Sequence, residues 1–177
     1  MKKDNTEYNY DVIYVGRLTY QKNPQRLLKV LKQAISKKPN LKIAIIGSGE
    51  LENETIKLAK ELGIDSNIFF GGFQKNPLKM MHDSKVMIMT SRWEGTPMCA
   101  LEGMTLGLPL VSTPTDGISE LIQDNQNGYL TDDDTLLADK LLKIVDNTIL
   151  RSRMSQQQLI KAKQVNNISS YSQKILN

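Results

Sequence analysis

Short apolar runs recur along this chain, and each is followed by a turn and then by a stretch with helical spacing. Residues 11–15, 41–46, 68–70, 86–90 and 108–112 are rich in Val, Ile, Leu and Met, and a brief sixth run lies at 128–130. Buried parallel strands read as near-continuous apolar runs of this length. Between the first two, Leu27, Leu28, Leu31 and Ile35 recur at helical spacing behind Asn23-Pro24. Asn suits the N-cap, and Pro suits the first helical position, where no N–H is needed. Leu51, Ile56, Leu58, Ala59 and Leu62 mark a second helix, stopped by Gly63. Further helices are predicted near 77–82, after Thr96-Pro97 as far as Gly107, at 118–122, from the acidic run 132–134 through 145, and from 149 to 164. Six strands separated by helices predict an α/β fold, a Rossmann-like doubly wound parallel sheet with helices on both faces. Ligands of such sheets bind beyond the carboxyl ends of the strands, so that rim is where candidate residues are sought.

At 177 residues the chain suffices for one domain with a sizeable core. Residues 1–10 are expected to be disordered or a linker, 11–165 the folded domain, and 166–177 a tail with some helix near 171–176. One cysteine excludes an internal disulfide and a multi-cysteine metal site. The net charge of +4 suits a small anionic ligand and is too weak and dispersed to argue for nucleic acid. No apolar run approaches the roughly 18 residues needed to span a bilayer, and the first residues lack the apolar core of a signal peptide. A soluble, cytoplasmic chain is the expectation.

The unusual residues gather at the predicted rim. Arg17 follows the first strand, Gly47-Ser48-Gly49 the second, Gly72-Phe73 the third, Glu94 the fourth and Asp116-Gly117 the fifth. Thr96 is the expected N-cap of the helix after the fourth strand and Pro97 its first residue, which leaves the N–H groups of Met98 and Cys99 as an anion site. Glu94 precedes that site and Glu102 follows seven residues later on the helix. Carboxylates so placed would repel a bare phosphate and should meet hydroxyl groups, an arrangement that fits a phosphate between two sugars. Arg17 and Lys22 flank a strand-to-helix loop and suit a diphosphate, each charge-assisted bond contributing roughly 1.5 to 3 kcal/mol. Two solvated surface cations and two solvating glutamates are the plainer reading of the same residues. Gly47-Ser48-Gly49 is not a dinucleotide fingerprint, because Glu52 stands where the third glycine belongs and the loop follows the second strand. Hydride transfer is therefore disfavoured.

The Glu94, seven residues, Glu102 pattern resembles the signature of retaining nucleotide-sugar glycosyltransferases with the GT-B fold, the group 1 or family 4 type. Gly16-Arg17-Leu18, three residues, Lys22-Asn23 is similar to that family's Gly-Arg-Leu…Lys-Gly motif, with Asn23 for the usual Gly. Gly117 to Ile122 resembles its Gly, two residues, Glu, Leu-Ile segment. Gly103 stands where Ala is usual, and Thr96-Pro97-Met98 replaces a commoner Phe-Gly-Leu. The resemblance runs from about Val12 to Lys143. It implies the C-terminal, donor-binding half of a GT-B enzyme and transfer of a hexosyl group from a UDP-, GDP- or ADP-sugar to a saccharide or lipid-linked glycan with retained configuration, as in polysaccharide biosynthesis. It assigns catalysis to Glu94, Arg17 and Lys22. Donor binding falls to Arg17, Lys22, Gly47, Gly49, Phe73, Glu94, Thr96, Met98, Cys99 and Glu102, with Glu102 on the ribose, Glu94 on the sugar hydroxyls and Phe73 near the base.

No metal and no cofactor besides the donor are expected. The other half of the enzyme, carrying the acceptor site, is inferred to be missing. The tail would pack on that half, and the full-length protein would associate peripherally with a membrane through it. The isolated domain is expected to bind donor and scarcely transfer. Two other readings stay open: a nucleotide-sugar epimerase on a related scaffold, which would want more than the single His82, and a non-catalytic interaction domain. Trp93 either packs under its loop or borders the sugar. Cys99, at a helix start where a thiol pKa can fall, is expected to be a packed residue.

Overall fold

A computed structural model describes the backbone of residues 8–175 and the side chains of residues 8–166. The linker expected at 1–10 falls mostly on 1–7, which lie outside the described residues, as do the tail's last two residues. The strands are β1 Tyr10–Val15, β2 Ile43–Ile46, β3 Ile68–Gly72, β4 Ser84–Met89, β5 Leu110–Ser112 and β6 Gly128–Leu130. The helices are α1 Pro24–Lys37, α2 Glu52–Glu61, α3 Leu78–His82, α4 Met98–Thr105, α5 Asp116–Ser119, α6 Asp134–Asp146 and α7 Thr148–Ile175. All six strands are parallel, in the order β3-β2-β1-β4-β5-β6.

Strand alternation explains why a single sheet carries two cores. In β1, Val12 and Tyr14 face one layer while Ile13 and Val15 face the other. The first layer holds α1, α2 and α6 through residues such as Leu27, Leu31, Ala59, Leu137 and Leu141. The second holds α3, α4 and α5 through Met81, Ala100, Met104 and Ile118. The last helix serves both, starting on the first side with Leu150 and Met154 and reaching the second with Ala162 and Val165. It also continues to Ile175, so 166–175, read from sequence as a tail with a break after 164, is helical in backbone.

Other boundaries shift as well, with β2 starting at Ile43 and β4 at Ser84. The fifth helix starts at Asp116 and ends at Ser119, whereas the apolar pattern placed it at 118–122, and β5 starts at Leu110 and not at 108. Leu108, Leu121 and Ile122 are still buried in the second core, so the apolar pattern reported burial correctly but not backbone shape.

The strand order reverses direction between β1 and β4. Loops from these neighbours depart to opposite faces and leave a crevice at the carboxyl edge, which positions the site.

Candidate functional site

The walls of the crevice are the β1–α1 loop, residues 16–23, and the β4–α4 loop, residues 90–97. They are tied together along their length. Thr90 Oγ1 donates to Asn23 O at 3.2 Å, Arg92 N–H to Gln21 O at 2.8 Å, and Gln21 Nε2 to Trp93 O at 3.0 Å. At the floor, Lys22 Nζ donates to Glu94 Oε1 at 2.5 Å, bridging 72 positions of sequence. Ser91 Oγ reaches the same oxygen at 2.6 Å. Glu94 is only 7% exposed, so its charge is retained inside by these two donors.

Asn23 explains one departure from the family motif. Its φ and ψ are 54° and 57°, the left-handed region, which Gly enters freely and Asn more readily than other side chains. Its Oδ1 also accepts from Arg26 N–H at 3.4 Å, the expected N-cap. Gly103, in place of Ala, is a matter of packing and not of backbone conformation: a Cβ there would lie 3.3 Å from Met87 Sδ and 3.4 Å from Met81 Cε.

The start of α4 corrects one expectation. Pro97, with ψ of 87°, is the N-cap and Met98 the first helical residue, and no side chain caps the helix. Ala100 and Leu101 N–H donate to Pro97 O, so Thr96 neither caps nor enters the helix. The loop is drawn in by Glu94, whose carbonyl also accepts from Gly117 N–H at 3.2 Å, and the chain turns helical one residue later than the Thr-Pro pattern implies. The amides of Met98 and Cys99 still precede the first intrahelical bonds, at the positive end of the helix.

Cys99 sits beside Lys22, Glu94 and Glu102, and burial pushes its thiol up to about 11, opposed by Lys22 and reinforced by the two carboxylates. The helix start does not activate it; it is the packed residue expected. Arg17 is exposed on the β1 loop, and Glu102 is half-buried one turn into α4. Neither makes a side-chain hydrogen bond or ion pair to another described residue, so both are available to a ligand. Gly47 has φ of 137°, and a Cβ there would lie 1.9 Å from Gly16 O, so the second loop presses against the first. A Cβ on Gly49 would lie 2.4 Å from Leu18 O. Phe73 follows the edge strand β3, its ring 75% exposed. Thus Lys22, Glu94, Cys99 and Glu102 come together, Gly47 and Gly49 back the Arg17 loop, and Phe73 stands apart beyond β2.

Sequence reasoning missed the supports. Tyr14 OH donates to Arg17 O at 3.0 Å beneath the loop. Burial, reinforced by Cys99 and Glu94, raises its phenol well above the ordinary value, so it remains a neutral donor. Thr113 Oγ1 donates to Ser91 O at 3.0 Å. The available signal was the pair of hydroxyl residues ending each central strand, Thr90-Ser91 and Ser112-Thr113. His82 ends α3 just before β4 begins, at the opposite edge of the sheet, and is exposed beside Asp83. Trp93 lies open against Tyr20 and not under its loop. Among the described residues no group of His, Cys, Asp and Glu could hold a metal ion, and no helix is long and apolar enough to cross a membrane.

The family model described as glycosyl transferases group 1 matches residues 2–159. An uncharacterized glycosyltransferase of Methanocaldococcus jannaschii is 31% identical over 175 residues, covering 81% of this chain and 43% of the relative. An O-antigen biosynthesis glycosyltransferase of Escherichia coli is 38% identical over 148 residues, 81% of this chain and 40% of the relative. The crystal structure of S. aureus TarM in complex with fondaparinux, alpha-GlcNAc-glycerol and UDP superposes with a TM-score of 0.88 at 26% identity, covering 100% of this chain and 37% of that one. The chain spans less than half the length of these relatives.

Proposed function

Since the chain belongs to the group 1 glycosyl transferases, we propose that it is the half of such an enzyme that binds the nucleotide diphosphate sugar, and that the sugar is transferred with retention to a saccharide or lipid-linked glycan. The observation that carries this is the Lys22–Glu94 pair, lying across the switch point beside the first amides of α4. It puts a cation for the diphosphate and a carboxylate for sugar hydroxyls within one bond of each other. The UDP bound by TarM makes UDP the first nucleotide to try.

In this reading Arg17 and Lys22 hold the diphosphate from one wall and the Met98 and Cys99 amides from the other. Glu102 accepts from the ribose hydroxyls, because an ionised carboxylate only accepts. Glu94 faces the sugar with the oxygen that Lys22 and Ser91 leave unused. Glu94 and Glu102 do not act as the paired acid and nucleophile of a glycosidase, since one is committed to ribose. The departing phosphate, stabilised by the two cations and the helix start, takes the proton of the acceptor hydroxyl on the same face. Charge stabilisation at the developing diphosphate therefore lowers the barrier. No metal or further cofactor enters the scheme. Most of the acceptor site belongs to a second domain, and transfer requires both halves.

Calorimetry with UDP, GDP and ADP, each free and sugar-linked, tests the reading. Binding of at least one diphosphate is expected, and silence with all six would end it. Glu102→Gln should weaken the ribonucleotide and leave its 2′-deoxy analogue unchanged; equal losses would remove Glu102 from the ribose.

A further inference from the structure

Two aromatic rings stand open at the mouth of the crevice, and the donor scheme uses neither. Tyr20 is 59% exposed and Trp93 53%, although such side chains ordinarily bury most of their surface. Their centroids are 6.0 Å apart, with the planes inclined by 53°. The fold fixes them there. The Arg92 guanidinium carbon lies 4.2 Å over the Tyr20 ring, a cation–π contact. Arg92 Nε donates to Tyr20 O at 3.1 Å and Nη2 to Asn23 Oδ1 at 3.3 Å. Gln21 Nε2 holds the carbonyl of Trp93 at 3.0 Å. Rings ordered before any ligand arrives form a preorganised surface, because the entropy of placing them is already spent.

The ligand class follows from the surroundings. The rings are bordered by Gln21, Lys22 and Arg92, polar neighbours that suit a hydroxylated ligand better than a lipid tail or an apolar helix. A pyranose offers both parts of the match: a face of C–H bonds to lie on a ring, and hydroxyls at its edge for polar neighbours. Trp93 immediately precedes Glu94, and Tyr20 lies two residues before Lys22, so a sugar on these rings sits beside the reacting end of the donor crevice. We propose that Tyr20 and Trp93, braced by Arg92, form a stacking platform for the saccharide acceptor. This rests on the donor-binding reading above.

Trp93 is the only tryptophan of the chain, so its emission reports on the platform directly. The 177-residue chain is titrated with maltose, cellobiose and chitobiose, and UDP binding is followed separately by calorimetry. A saturable change in emission with at least one disaccharide is expected. By calorimetry, Trp93→Ala and Tyr20→Ala should weaken that disaccharide about tenfold or more, and Trp93→Phe, which keeps a ring, should lose clearly less. UDP affinity should stay within about twofold in all three, which also certifies the fold. UDP binding with no disaccharide response overturns the platform and leaves the donor site standing. Alanine variants that lose UDP or uridine affinity overturn it in favour of base stacking. A chain that binds neither disaccharide nor any nucleotide overturns both readings.

Discussion

Lys22–Glu94 and Lys37–Asp139 are both lysine–carboxylate pairs between distant parts of the chain, each with an N···O distance of 2.5 Å. Their surroundings differ. The side chains of the first pair are 15% and 4% exposed, those of the second 48% and 46%. The second belongs to a row joining α1 to α6, with Arg26 to Asp132 and Asp134 above it and Lys38 to Asp146 below. Water competes for every member of that row, so each pair contributes about 1 kcal/mol or less. At the crevice water is largely gone, and removing one partner strands the other. Equal geometry thus gives a replaceable fastener in one place and, in the other, a charge pair the fold must keep satisfied.

The largest expected effect tests that contrast on stability. Glu94→Ala should lower unfolding free energy by about 3 kcal/mol, because the Lys22 charge remains without its partner. A shift of the urea midpoint at constant slope would register it, and a shift no larger than that of Asp139→Ala would erase the distinction between the two pairs. Ligand binding gives the next effect. Arg17→Ala should weaken UDP by about 1.5 to 3 kcal/mol, leave uridine unchanged, and leave stability unchanged because the side chain is exposed. Lys22→Ala should lower both UDP affinity and stability; if Arg17→Ala also destabilised the fold, Arg17 would be a structural cation.

On the α1–α6 face, Lys37→Ala should cost under about 1 kcal/mol, and less still as added salt screens the pair. The smallest response belongs to Cys99. With its thiol near 11, the thiolate fraction at pH 8 is on the order of one in a thousand. Alkylation should be negligible there and rise about tenfold per pH unit toward 11. Rapid labelling at pH 8 would show that the helix start, and not burial, governs this residue.

The alternation of apolar runs with helical stretches determined the doubly wound sheet, since period and length of apolar segments report which faces must be buried. Asn23-Pro24 and the acidic run 132–134 announced helix starts that the structure bears out. Thr96-Pro97 misled, because a cap depends on the entry angle of the chain, and that angle is set by Glu94 being held from the β1–α1 loop and α5. The last helix was legible over 149–164, but its backbone continuation to Ile175 was not, because the polar run Asn166, Asn167, Ser169 and Ser170 offers no apolar spacing to read.

By itself, then, the sequence determined the layers, the strand ends and the residue types waiting at the rim. Only tertiary structure decided that Lys22 meets Glu94, that Tyr14 and Ser91 hold the loops, and that Tyr20 and Trp93 share one opening. The Lys22–Glu94 and Tyr20–Trp93 contacts cross more than 70 positions of chain, and local propensity carries no information about which distant loop a folded sheet brings alongside.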